Sequence, residues 1–226
     1  MENKQIDLLF KVLKILDKKG VLKHLVVAGS WCMFFYTLYF QKKQPIASLR
    51  TRDVDFLVPD PKSLKTNIDL PELLKSLGFL IDYRGEQGYI RLVHPEFFIE
   101  FLVSEKGKGI KKAFPLPKLG LNAQALRFMD ILYLKTVTLK TRRIKIKLPH
   151  PACFVLHKII IFTRRPEKEK REKEVKQIDR MLDLLGREGK ANTLKKFFIK
   201  LHPEWRKKII NNLRILNKNN IIELLQ

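Results

Sequence analysis

Cysteine is nearly absent from this sequence: Cys32 and Cys153 are the only two among 226 residues. Both stand in apolar surroundings and read as reduced core thiols of a cytoplasmic protein, which excludes a disulfide framework. No cysteine–histidine cluster offers zinc spacing, and His24, His94, His150 and His202 lack partners at ligand spacing and read as structural. Long hydrophobic runs are also missing. The longest, Val26 to Phe40, has fifteen residues and is interrupted by Gly29 and Ser30. It is too short to span a bilayer and has no signal-peptide flanks, so no membrane role is expected. There are no internal repeats and no low-complexity tracts. Acidic residues are few, 23 against 46 Lys and Arg, which leaves a net charge of +23.

What remains is the composition of a folded protein, 45% hydrophobic. The charge is unevenly spread: residues 139–226 hold 24 Lys/Arg against 9 Asp/Glu. Such an excess suits a polyanion, with RNA or DNA favoured over a membrane surface. It equally suits a lysine-rich proteome, and composition does not separate the two. Pro149 and Pro151 mark a change of character, predicting an α+β domain over 1–148 and a basic helical domain over 149–226.

Ile6, Leu9, Phe10, Leu13 and Leu16 recur at helical spacing, with Gly20 just past the end. A strand at 25–28, a helix at about 30–40 and a strand at 52–58 follow, the last closed by Pro59-Asp60-Pro61. Residues 71–77 read as a short helix between Pro71 and Gly78. Residues 79–84, 89–94 and 97–103 read as three successive strands, then 122–132 as a helix and 136–148 as a strand or hairpin. Beyond Pro151 only helices are expected, at about 151–163, 168–187, 191–200 and 203–225 with a break near 217–220. Phe197, Phe198 and Trp205 are expected in their core.

Chemistry concentrates in Asp53-Val54-Asp55-Phe56-Leu57-Val58. Side chains alternate along a strand, so Asp53 and Asp55 project from one face while Val54, Phe56 and Val58 enter the core. Two acids crowded together repel unless a cation lies between them, and hard oxygen ligands of this kind suit Mg²⁺. Upstream, the apolar run Leu25–Ala28 ends in Gly29-Ser30 before a helix, an arrangement that offers backbone N–H groups to a phosphate. Glu100 is the only acid inside its own apolar strand, where it shares a face with Phe98 and Leu102. A carboxylate there needs a partner or a metal. It is the natural third member for Asp53 and Asp55; the competing role is a salt bridge to Arg52 or Arg91.

Gly29-Ser30, then Asp53-x-Asp55, then a single acid on a later strand resembles the order of elements in the polymerase-β-like nucleotidyltransferase superfamily. Arg50-Thr51-Arg52-Asp53-Val54-Asp55 resembles the R-T-x-D-x-D of a prokaryotic family of predicted nucleotidyltransferases. That family's second half looks similar to Leu156-His157-Lys158, Arg164 or Arg165, and Lys173, Gln177 and Asp179. The resemblance covers roughly residues 20–185. Twenty-two residues between Ser30 and Asp53 set the chain apart from minimal antibiotic-modifying enzymes of the superfamily. The layout is also similar to abortive-infection nucleotidyltransferase toxins.

The resemblance implies a mixed sheet with flanking helices and a Mg²⁺- or Mn²⁺-dependent transfer of NMP from an NTP such as ATP to a hydroxyl, on an RNA end or a protein side chain. Asp53, Asp55 and Glu100 would be catalytic and metal-binding in a two-metal mechanism, with Glu100 helping to deprotonate the hydroxyl. Gly29, Ser30, Arg50 and Lys158 would contact the nucleotide. The basic helical half would serve as an RNA platform. Two alternatives stay open: a catalytically inactive fold relative that binds nucleic acid, or the toxin of a toxin–antitoxin pair, with an antitoxin as partner.

Overall fold

The computed structural model describes residues 2–44, 51–86, 88–107, 112–164 and 167–226. These fall into two compact units. The first holds residues up to 129 together with 136–148, and the second holds 130–135 with 149–226.

The first unit opens with helix α1 (Glu2–Lys18), whose stripe of Leu9, Phe10, Leu13 and Leu16 is buried. Strand β1 (Val26–Ala28), helix α2 (Trp31–Tyr39) and strand β2 (Asp53–Leu57) follow. Helix α3 (Leu70–Lys75) starts where the Asp69 carboxylate accepts the Glu72 N–H at 2.9 Å. Strands β3 (Leu80–Arg84), β4 (Tyr89–Val93) and β5 (Phe98–Ser104) form a meander. Strands β6 (Phe114–Leu116) and β7 (Leu121–Leu126) complete the sheet. Its main order is β1-β2-β5-β4-β3, with β7 also pairing β5. β2 and β7 run parallel to β5, and the other pairs are antiparallel, so the sheet is mixed. Strands β8 (Thr136–Thr141) and β9 (Ile144–Pro149) make a separate two-stranded hairpin.

The sequence pattern predicts a helix at 122–132, and the structure corrects this. Residues 121–126 are strand β7, and only Asp130–Tyr133 is helical. Leu121 and Ala123 are buried on alternate positions, and Asn122 accepts the Ile90 N–H at 2.8 Å while donating to the Gly88 carbonyl at 3.0 Å. Ala, Gln, Leu and Arg favour helix locally, but ladder bonds to β5 and β6 outweigh that preference. The core below the site is aromatic. Trp31 meets Phe97 edge-on at 6.1 Å, Phe97 meets Phe79 at 5.6 Å, and Phe56 packs on Phe101 at 5.7 Å.

The second unit is helical: α4 (Asp130–Tyr133), α5 (Pro151–Ile161), α6 (Lys168–Arg187), α7 (Asn192–Phe198), α8 (Pro203–Ile215) and α9 (Asn219–Leu225). α5 is buried from Pro151 through Ile160 and packs against α4, α6, α7 and α8, as an all-round hydrophobic helix must. The buried Asn212 amide donates to the Ile159 carbonyl at 2.7 Å, satisfying a backbone acceptor near its end. Phe197 and Phe198 are buried, whereas Trp205 is only half-buried. Among the described residues no helix is long and apolar enough to cross a membrane.

Candidate active site

The decisive placement is a register. Asp55 on β2 lies directly beside Glu100 on β5, and Asp53 lies beside Phe98. In a parallel pair, residues in register share a face, so Asp53, Asp55, Phe98 and Glu100 all project from the same side of the sheet. The opposite face of β2 carries Val54 and Phe56, both fully buried. The rank extends across five strands of the sheet: Ala28 neighbours Asp55, Asp55 neighbours Glu100, Glu100 neighbours Arg91, and Arg91 neighbours Asp82.

Gly29 follows β1 immediately and has φ +65°, the left-handed region that glycine enters without cost. A Cβ on Gly29 would sit 1.9 Å from the Asp55 Oδ2 atom, so any side chain there would displace that carboxylate. The small-residue bend and the acidic strand therefore touch. Ser30 precedes α2 without a side-chain capping bond, and the first amides of α2 follow it.

Glu100 is half-buried, and its carboxyl is held above the ordinary carboxylate range, first by burial and then by the charge of Asp53. Arg91 and Arg84 act against that rise. Neither arginine neutralises Glu100 outright, because both are bound elsewhere. Arg91 reaches the Asp82 carboxylate at 3.0 Å and Arg84 reaches it at 3.1 Å. Arg91 also lies over the Phe98 ring at 4.1 Å. Arg52 donates to the Pro95 carbonyl at 2.7 Å and stacks over the same ring at 4.6 Å. No motif in the sequence groups Asp82 with its two arginines. Their signal was the alternation of β3 and β4, which places Asp82 and Arg91 in register.

Among the described residues, no three His, Cys, Asp or Glu side chains are gathered closely enough to form a ready-made metal cage. The donor chemistry nonetheless fits a hard dication. The three nearest candidates are all carboxylates on one face, one of them pushed toward its neutral form by burial and then by the charge of Asp53. Lys158 lies in the second unit, on α5. Its side chain is 4% exposed, with the ammonium bonded to Glu174 at 2.7 Å and 5.3 Å from the Phe154 ring, so a phosphate contact through it requires that pair to part. Arg50 and Arg165 lie outside the described residues.

A family model described as nucleotidyltransferase matches residues 8–199. The chain belongs to that nucleotidyltransferase family. No curated protein matches the sequence. Among solved structures, the nucleotidyltransferase fold is similar to ANT(2″)-Ia crystallised with adenylyl-2″-tobramycin, at TM-score 0.50 and 12% identity, over 87% of this chain and 98% of that one. The solution structure of the antibiotic-resistance factor ANT(2″)-Ia gives 0.48 at 11% identity, over 97% of this nucleotidyltransferase and 98% of that chain. An antigenic nucleotidyltransferase-like protein from Paracoccidioides brasiliensis gives 0.43 at 15% identity, over 89% and 91% respectively.

Proposed function

We infer that this nucleotidyltransferase moves NMP from an NTP to a hydroxyl of a polynucleotide, with RNA as the acceptor: the hydroxyl oxygen bonds to the α-phosphorus, the bond from that phosphorus to the β-phosphate oxygen breaks, and pyrophosphate leaves. The observation that supports this reading best is the adjacency of Asp55 to both Gly29 and Glu100, the arrangement that a phosphate site beside a cation site would need. Asp53, Asp55 and Glu100 are the residues that would hold Mg²⁺ or Mn²⁺. When bound, the cation supplies neutralising charge for the triphosphate and for the charge that develops during transfer. Gly29 and Ser30 bind phosphate oxygens through backbone N–H groups and the Ser30 hydroxyl, and a Cβ at position 29 would push the neighbouring Asp55 carboxylate aside. Glu100, raised toward neutrality by burial, is tuned to take the proton of the attacking hydroxyl. Arg50 belongs to the same proposal as a phosphate contact on the strength of its motif, and Lys158 as one that trades Glu174 for phosphate.

The test is incubation with each α-labelled NTP and Mg²⁺, with RNA, protein and an aminoglycoside as separate acceptors. Label should pass to RNA, and Asp53→Asn/Asp55→Asn should lower transfer by roughly 10³-fold or more. Label on protein or on the aminoglycoside would replace the acceptor. No label on anything, with RNA still bound, would support the inactive binding protein instead.

A further inference from the structure

The β8–β9 hairpin is a patch of charge that the site does not use. Residues 136–149 contain Lys140, Arg142, Arg143, Lys145 and Lys147 and not one acid. Leu139, Ile144, Ile146 and Leu148 are buried on one face, so alternation turns Lys140, Lys145 and Lys147 outward together with Thr138, all four exposed. The turn has two residues, which sets Lys140 across from Lys145. Like charges directly opposed on a ladder weaken it.

The turn itself is costly. Arg142 and Arg143 both have positive φ, 45° and 66°, where Asn-Gly would be the cheap choice. Arg142 is accounted for: it pairs with Asp7 at 3.1 Å and covers the Phe10 ring at 4.1 Å. Arg143 is exposed, and among the described residues no ion pair engages it, Lys140 or Lys145. A strained turn and an unfavourable cross-strand pair thus hold three uncompensated cations on one small surface.

We propose that the outer face of the β8–β9 hairpin binds the sugar–phosphate backbone of single-stranded RNA, through Lys140, Arg143, Lys145 and Lys147, the last giving up the bond it donates to the Lys23 carbonyl at 2.6 Å. Alternate residues on a strand stand about 7 Å apart, a spacing comparable with that of successive phosphates on a polynucleotide. The hairpin has no aromatic side chain, so its contacts are to phosphate and sugar and carry no base preference. Thr138 on the same face offers a hydroxyl to the ribose 2′-OH, the group that separates RNA from DNA. This deepens the polynucleotide acceptor proposed above and rests on it for its purpose, although the binding itself can be measured without transfer.

The experiment is fluorescence anisotropy of a labelled single-stranded RNA with the full chain, from 50 to 200 mM salt. Lys140→Gln/Arg143→Gln/Lys145→Gln should weaken binding at least 10-fold at low salt. It should also reduce the slope of log K against log salt by about 2, since each lost phosphate contact on a single strand removes about 0.7. A charge-matched control in the second unit, Lys195→Gln/Lys196→Gln/Lys207→Gln, should change affinity less than 2-fold. Thermal melting identifies any hairpin variant that has lost its fold, and Lys145→Thr alone then serves, with a smaller loss of 2- to 4-fold. Equal losses in hairpin and control, unchanged binding in the hairpin variant, or preference for DNA or anionic vesicles over RNA would each overturn the proposal. Asp53→Asn/Asp55→Asn should bind RNA as the wild type does, and the hairpin variant should keep Mg²⁺-dependent stabilisation by NTP. A chain that stabilises with NTP but binds no RNA at the hairpin sinks this inference alone; one that binds RNA there but transfers nothing sinks the transferase reading alone.

Discussion

Glu100 pays for its place in the sheet with its own ionisation. Its folded carboxyl titrates above the ordinary range because burial and Asp53 disfavour the charge. Stability tied to this group is therefore complete below the ordinary carboxylate range and is lost as pH rises through the raised value. Glu100→Gln removes that loss. In EDTA at pH 7.5 the variant should melt above wild type, by about 2 °C for a chain of this size, with the difference vanishing near pH 4. The same variant should lose transfer activity, so a gain of stability would accompany a loss of function. Differential scanning fluorimetry over pH 4–8 measures the first and labelled NTP the second. A variant that melts lower at neutral pH would mean that Glu100 is held by favourable partners instead.

The elements show how local chemistry is reused. Three His-Pro dipeptides adopt one device: the imidazole Nδ1 of His94, His150 and His202 accepts the N–H two residues on, at 3.1, 3.2 and 3.3 Å. At His150 and His202 this caps a helix whose first residue is proline. A protonated ring cannot accept that bond. Burial, with Lys190, Lys135 and Lys196 nearby, lowers the His150 pKa to about 4. Its stability contribution is full above the ordinary histidine value and declines as pH falls toward about 4. His150→Asn keeps a capping acceptor without the titration. From pH 7 to pH 5 it should lose less stability than wild type, by about 1 kcal/mol, the full linkage value being halved for the ring's partial exposure. Denaturant melts at the two pH values provide the check.

Legibility also varies by element. β2 and β5 are readable because each is a short run of apolar, β-branched and aromatic residues interrupted only by Asp53, Asp55 or Glu100, and the Gly29-Ser30 bend because a glycine ends an apolar run before a helix. β7 was not, since helix-favouring residues become a strand only through partners distant in sequence. The rank Asp82–Arg91–Glu100–Asp55 needs the register of four strands, which no single stretch contains. Residues 130–135 sit with the helical unit although nothing in their composition separates them from the strands on either side. Lys158 carries a family pattern, yet its burial against Glu174 follows only from how α5 and α6 pack.

At the scale of the molecule, a charge of +23 acts on stability as well as on partners. Among the described residues most ion pairs are exposed, and such pairs contribute little. Repulsion among 46 basic side chains is the larger electrostatic effect, and added salt screens it. The melting temperature should therefore rise by a few degrees between 20 and 300 mM NaCl, the reverse of a protein held by surface pairs. Scanning fluorimetry across that range, with sodium chloride chosen to avoid strongly binding anions, is sufficient. A falling melting temperature would show that attractive pairs dominate.

The parallel alignment of β2 with β5 carries a last implication for how activity is acquired. Parallel neighbours cannot be joined by a tight turn, and here α3, β3 and β4 all intervene between Asp55 and Glu100. A growing chain released only as far as β4 would own the bend and two of its acids but not the third. Competence to grip the divalent ion proposed above should thus emerge late in refolding, when the crossover closes, and a one-residue slip at that closure would send Glu100 to the wrong side of an otherwise well-formed sheet.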